Sequence, residues 1–176
     1  AFDRCQVAVV TNLGTGDHLG LNYITTLEDL TVVKRVIVLN VDPEGMAVLN
    51  ANDPAVAAMG RHCPGEVTYF ALDANQPVLA THRAQGKRVV YLDKGDIVAQ
   101  KGPQTFRIPL SQVPLTRHGQ IGFQSENVLA AVGAAWAVDM PWAVIAQGLA
   151  SFVSDIQGVP GPVSYTHLTL PTNREV

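Results

Sequence analysis

The chain has 176 residues, 47% of them hydrophobic, enough to fill one core. A net charge of −3 with no basic stripe argues against nucleic acid and anionic membrane surfaces as partners. The two cysteines, Cys5 and Cys63, make no disulfide framework, and no run of about twenty apolar residues is present to cross a bilayer, so the expectation is a reduced cytoplasmic protein.

The opening, Ala1-Phe2-Asp3-Arg4, has neither a starting Met nor the features of a signal peptide, and is expected to be the cut end of a longer protein. A strand is predicted over residues 6–12; its apolar run, Val7 to Val10, stops at Thr11-Asn12 and a glycine-punctuated turn carrying Asp17 and His18. Ligands of parallel sheets bind at such carboxyl edges. A helix follows over 26–40, entered through Thr25 or Thr26, with Glu28 and Asp29 suited to the dipole of its first turn. A second strand is predicted over 46–50, and Asn52 or Asp53 caps a helix that has Pro54 at its first position. Residues 66–72 read as a third strand and 76–85 as a short helix ending at Gly86. Short β segments at 88–92, 96–100 and 105–108 are then joined by Asp93-Lys94-Gly95-Asp96 and Lys101-Gly102-Pro103, both hairpin turns. Helices return over 125–138 and 141–152. The alternation gives an α/β fold, a Rossmann-like or P-loop-type mostly parallel sheet flanked by helices, with a small antiparallel β extension and truncation at both ends.

Three groups of residues carry chemistry. His18, next to Asp17 at a strand end, either ligates a metal or is hydrogen-bonded in its turn; residue chemistry alone leaves both open. Lys34 lies in the middle of a stripe formed by Leu27, Leu30, Ile37 and Val41, where a lysine is costly unless paired or neutralised; the alternative is a snorkelling surface lysine. Arg35 points elsewhere. Gln124 and Asn127 share a face at a helix start, beside Ser125 as a candidate N-cap, and their amides offer a donor and an acceptor together.

The order of Thr11-Asn12, Asp17-His18-Leu19, Lys34, Asn50-Ala51-Asn52-Asp53-Pro54 and Gln124-Ser125-Glu126-Asn127 resembles the ATP-dependent Mur ligases. The resemblance implies ATP and Mg2+ as cofactors, with His18 on the magnesium and Lys34 carbamylated, its new carboxylate helping to hold the metal. Magnesium prefers oxygen ligands, so a histidine there is informative. Lys34, Asn12 and Asp17 are the implied catalytic set, Asn12 fixing the strand end and Asp17 ordering the turn. Gln124 and Asn127, with Asn50 and Asp53 mainly as turn and cap, are the implied nucleotide set. The family has His-Asn-x-x-Asn where this chain has Phe123-Gln124-Ser125-Glu126-Asn127, so Phe123 replaces the histidine and Gln124 is a conservative departure.

Residues 1–161 are accordingly expected to be the C-terminal portion of a Mur ligase central, ATP-binding domain. The phosphate-binding glycine loop and the acidic magnesium partner are expected upstream of Ala1. Gly158-Val159-Pro160-Gly161 matches the run into the family's last domain, but Pro162 stands where Arg follows. Residues 162–176 show no helical period and are similar to adapter sequence read as coding, hence expected to be non-native. Ala1 through Gly20, Leu27-Glu28-Asp29-Leu30, Cys63-Pro64-Gly65 and Pro114-Leu115-Thr116 resemble the branch that builds a storage polymer of aspartate and arginine. That branch is implied to join arginine to aspartate side-chain carboxylates through an acyl phosphate. The complete enzyme would be a homo-oligomer acting on ATP and an amino-acid polymer, while this piece alone is expected to be inactive. A peptidoglycan- or folylpolyglutamate-type Mur ligase, or a non-catalytic nucleotide-binding module, are the other readings.

Overall fold

A computed structural model describes residues 3–14, 24–116 and 122–152. Asp17, His18 and the stretch 162–176 lie outside the described residues. Six strands form one sheet in the order β1-β2-β3-β4-β5-β6. The first four, β1 (Cys5–Val10), β2 (Val41–Asn50), β3 (Glu66–Ala71) and β4 (Val89–Asp93), are parallel. Strands β5 (Asp96–Lys101) and β6 (Gln104–Pro109) continue it as antiparallel hairpins, the predicted extension. The first turn, Lys94 and Gly95, has φ of 52° and 86°, the paired left-handed backbone of a tight hairpin.

Helices α1 (Leu27–Leu39), α2 (Pro54–Met59) and α3 (Pro77–Ala84) are the crossovers between the parallel strands. They pack on one face, where Val38, Val56, Met59 and Leu79 meet Ala47, Leu49, Tyr69 and Tyr91. On the other face, α4 (Gly122–Ala137) and α5 (Trp142–Ser151) bring Val128, Leu129, Trp136 and Ile145 against Val48, Phe70, Val90 and Ile97. The central strands are therefore apolar at successive positions because both sides are covered. No helix among the described residues is long and apolar enough to cross a membrane.

Local chemistry sets the element ends. Thr26 caps α1 in a reciprocal box: its hydroxyl accepts from Asp29 N at 3.0 Å, and Asp29 accepts from Thr26 N at 3.0 Å. Hydrogen bonding of the Asp29 carboxyl to the Thr26 side chain and to the backbone of Thr26 and Thr25 holds it below its ordinary range. Strand β1 ends at Val10 rather than 12, and two starts differ from the sequence reading by three residues or more. Strand β2 starts at Val41 rather than 46, because Cys5 pairs with Val41 before an irregularity that precedes the Val7–Met46 register. There Gly45 and Gly65 let two backbones touch: a Cβ on Gly65 would stand 2.6 Å from Asp42 O. Helix α4 starts at Gly122 rather than 125, so Ser125 is buried within the helix instead of capping it.

Candidate functional site

The carboxyl edge of the parallel strands collects most of the predicted site. Asn12 lies two residues beyond β1, exposed, and its Oδ1 accepts from Thr11 Oγ1 at 2.9 Å. Asn50 ends β2 and is 3% exposed; its Oδ1 accepts from Asn52 N at 2.8 Å, an Asx turn that swings the chain into α2. Asp53 then caps α2, with Oδ1 accepting from Ala55 N at 2.9 Å and Val56 N at 3.2 Å. Its other oxygen accepts from Leu13 N at 2.8 Å, across forty residues of sequence. Both carboxylate oxygens are therefore used in tying the loop after β1 to the turn after β2. Asn12, Asn50 and Asp53 come together here.

Gln76 belongs to the same edge and sequence reasoning missed it. Its Nε2 donates to Ala51 O, and its Oε1 caps α3 by accepting from Leu79 N at 2.9 Å. The signal was present: a polar residue immediately before Pro77 at a helix start is an N-cap pattern.

Lys34 sits on α1 between Leu30 and Val38, four residues to either side and exposed by 1% and 0%. That line faces the sheet: of the predicted stripe Leu30 and Val41 are buried, while Leu27 and Ile37 are exposed by 42% and 46% and Val38 is buried in their place. The lysine is half-buried and has no ion pair or hydrogen bond among the described residues. Arg35 needed more explanation than the sequence reading gave it. It is also half-buried, with Nη1 3.3 Å from His62 Nε2 and Nε without a partner. Arg61 Nε donates to the same His62 nitrogen at 3.1 Å, and desolvation together with the Arg35 and Arg61 charges pushes the imidazole pKa down. His62 is a neutral acceptor between two guanidinium groups.

Gln124 and Asn127 occupy the first turns of α4, where Asn127 Nδ2 donates to Gln124 Oε1 at 3.4 Å. The opposite end of α4 is fixed at the start of β4, because Arg88 Nη1 donates to Trp136 O at 3.0 Å and its guanidinium lies over the Trp136 ring. The two amides therefore stand toward the carboxyl edge of the sheet, with Gln124 Nε2 and Asn127 Oδ1 left as a donor and an acceptor side by side. No hydrogen bond or ion pair among the described residues joins them, or Lys34, to the cluster of Asn12, Asn50 and Asp53. Among the described residues no three His, Cys, Asp or Glu side chains gather as metal ligands.

Comparison with known proteins gives this edge its context. Residues 3–135 match the Mur ligase middle domain. The chain is 39% identical over 170 residues to a cyanophycin synthetase from Synechocystis sp., covering 96% of this chain and 19% of that protein. A cyanophycin synthetase from Geminocystis herdmanii is 37% identical over 163 residues, covering 92% of this chain and 18% of its own length. A UDP-N-acetylmuramoyl-L-alanyl-D-glutamate--2,6-diaminopimelate ligase from Bacillus licheniformis is 29% identical over 165 residues, 89% of this chain and 29% of that protein. The match over 96% of the chain runs past residue 161, beyond the motifs that carry the sequence resemblance. The fold is shared with the UDP-N-acetylmuramoylalanyl-D-glutamyl-2,6-diaminopimelate--D-alanyl-D-alanyl ligase of Acinetobacter baumannii. The TM-score is 0.51 at 20% identity, over 84% of this chain and 29% of that one. The chain spans about a fifth of the length of the cyanophycin synthetases it matches. With its middle-domain match over most of its length, the chain belongs to the Mur ligase family.

Proposed function

We propose that the chain is part of the ATP-binding middle domain of a cyanophycin synthetase, and that the complete enzyme adds arginine to aspartate side-chain carboxylates of a polyaspartate backbone. In that reaction a carboxylate oxygen takes the γ-phosphoryl group of ATP, releasing ADP. The arginine amine then displaces phosphate from the acyl phosphate to form the amide. The observation that carries this reading is the 39% identity to a cyanophycin synthetase, against 29% to a peptidoglycan-precursor ligase.

The residues present fit their proposed roles. Gln124 Nε2 and Asn127 Oδ1 form a donor–acceptor pair suited to the edge of an adenine. Lys34, half-buried on the sheet-facing line and unpaired among the described residues, is the kind of amine that gains from conversion to a carbamate. Magnesium, held by His18 and carbamylated Lys34, would neutralise phosphate charge when bound. Asn12, Asp17, Asn50 and Asp53 act around it as positioning residues that set the loops at the strand ends.

A chimera tests this. Residues 1–161 replace the corresponding stretch of the Synechocystis enzyme, and arginine incorporation is followed with ATP, Mg2+ and a polyaspartate-based primer. Retained incorporation that is lost on His18→Ala supports the reading. A chimera that folds, binds ATP and incorporates no arginine overturns it.

A further inference from the structure

The sheet edge opposite Asn12 and Asn50 holds a cavity of about 600 Å³, in the range of small-ligand sites. It forms where the turn before β3, the end of α3 and the end of β5 converge. The two edges are separated by the length of β3, about 17 Å at the usual rise of a strand.

Three cations stand around this cavity, Arg61, Lys87 and Lys101, with one carboxylate, Glu66. The ion pairs among the described residues are Arg4–Asp42, Arg88–Asp139 and Arg107 with Asp93 and Asp96, so none of the three is paired. In a chain of net charge −3 this is a local excess of positive charge. A smaller cavity of about 270 Å³ shares Glu66 and Lys101 and is bordered by Glu44 and Asp139, which bound the positive region on that side.

The lining also includes His82, 8% exposed. Its Nε2 donates to Val67 O at 2.7 Å while its ring packs edge-on against Tyr69 at 4.9 Å. The Tyr69 hydroxyl is itself spent on Ala57 O at 2.8 Å. Burial keeps the imidazole neutral by pushing its pKa down. With Nε2 donating, Nδ1 is an acceptor, and it has no protein partner among the described residues. Three cations together with a neutral histidine in the same lining suit a ligand that carries several negative groups and an N–H donor. Inorganic phosphate dianion meets the cations but offers mainly lone pairs to Nδ1; a peptide with carboxylate side chains offers both.

We propose that this cavity is a second binding site, distinct from the nucleotide edge, and that it takes an acidic peptide segment through Arg61, Lys87, Lys101 and His82. Under the function proposed above, that segment would be polyaspartate backbone whose side-chain carboxylates have yet to receive arginine. The test needs neither ATP nor turnover, so this inference and that reading can fail separately.

The 176-residue chain is titrated at low salt with a labelled, terminally blocked tetra-aspartate peptide, followed by fluorescence anisotropy. Saturable binding is expected, weakened at least tenfold by Lys87→Ala/Lys101→Ala, strengthened by Glu66→Gln and unchanged by Lys94→Asn on the remote hairpin. Both lysines are exposed, so far-UV circular dichroism of the double variant should match the parent. Absence of saturable binding overturns the proposal, as does a double variant that binds like the parent. Competition by adenosine, which carries the base without the phosphates, would place the peptide at the other edge, and equal displacement by inorganic phosphate would show a plain anion sink; either result also overturns it.

Discussion

Asp53 offers the sharpest test of how the carboxyl edge is held. Its Oδ1 caps α2 and its Oδ2 accepts from Leu13 N at 2.8 Å. Removing an N-cap costs about 1 kcal/mol. Losing a hydrogen bond to a charged acceptor costs about 1.5–3 kcal/mol. Asp53→Ala loses both and should cost about 2–4 kcal/mol, allowing for water reaching a half-buried site. Asp53→Asn keeps a capping oxygen of equal quality but sets an N–H2 against the Leu13 N–H, so it should cost about 1.5–3 kcal/mol. Urea unfolding of the chain reads both, as midpoints falling in the order parent, Asn, Ala at constant m-value. Because Leu13 leads into the segment bearing Asp17 and His18, the Asn variant of the chimera should also lose kcat under conditions where it stays folded. An Asn variant with the parent's midpoint would refute the bridging role, and one as unstable as Ala would refute the cap.

Lys34→Ala in the chimera should lower kcat at least about a hundredfold, with partial recovery on adding formate or acetate; near-parent kcat would make the lysine structural. Gly65→Ala should cost about 3 kcal/mol in urea unfolding, since its Cβ would meet backbone at 2.6 Å from Asp42 O and 2.9 Å from Gly45 C, where no side chain can yield. His82 has its folded pKa below the ordinary 6.5, so its contribution to stability is complete above that pH and is lost as pH falls below it. The urea midpoint should therefore drop between pH 7 and 5, less steeply in His82→Gln; parallel slopes would count against a buried neutral imidazole. His62, lowered for its own reasons, leaves a residual slope in the variant.

Much of the architecture was legible because local chemistry and burial agreed. Thr26 three residues before Asp29, and Asp53 before Pro54, mark helix starts that the structure keeps. Asp93-Lys94-Gly95-Asp96 fixed a hairpin because only a tight left-handed turn joins strands across two residues. What stayed hidden depended on long-range partners. The early start of β2 follows from Cys5 pairing with Val41, a contact that the Pro43-Glu44-Gly45 composition disguises as a loop. The link from Asp53 to Leu13 and the one from Gln76 to Ala51 cross separate crossover units, and no period in the sequence encodes them.

Lys34 shows how far pattern alone can go. Helix α1 carries Leu27, Leu30, Val32, Val33, Val36, Ile37, Val38 and Leu39, so an apolar line can be drawn along almost any of its sides. Packing selects the line through Leu30 and Val38, while Val32, Val33, Val36 and Ile37 remain 46–50% exposed on the outward arc. The pattern was blurred because six of these eight apolar side chains are 42–50% exposed rather than packed on the sheet. Such an arc, beside the edge strand β1, makes α1 a helix that is apolar on two sides, and only one of them is covered by the described residues. The lysine nevertheless falls on the covered side, where an amine without a partner is least economical. A snorkelling lysine would have gained more from the outward arc, with water directly above it. The carbamate proposed above would give that amine a partner in the form of a bound cation, and so would account for its placement on the inner line.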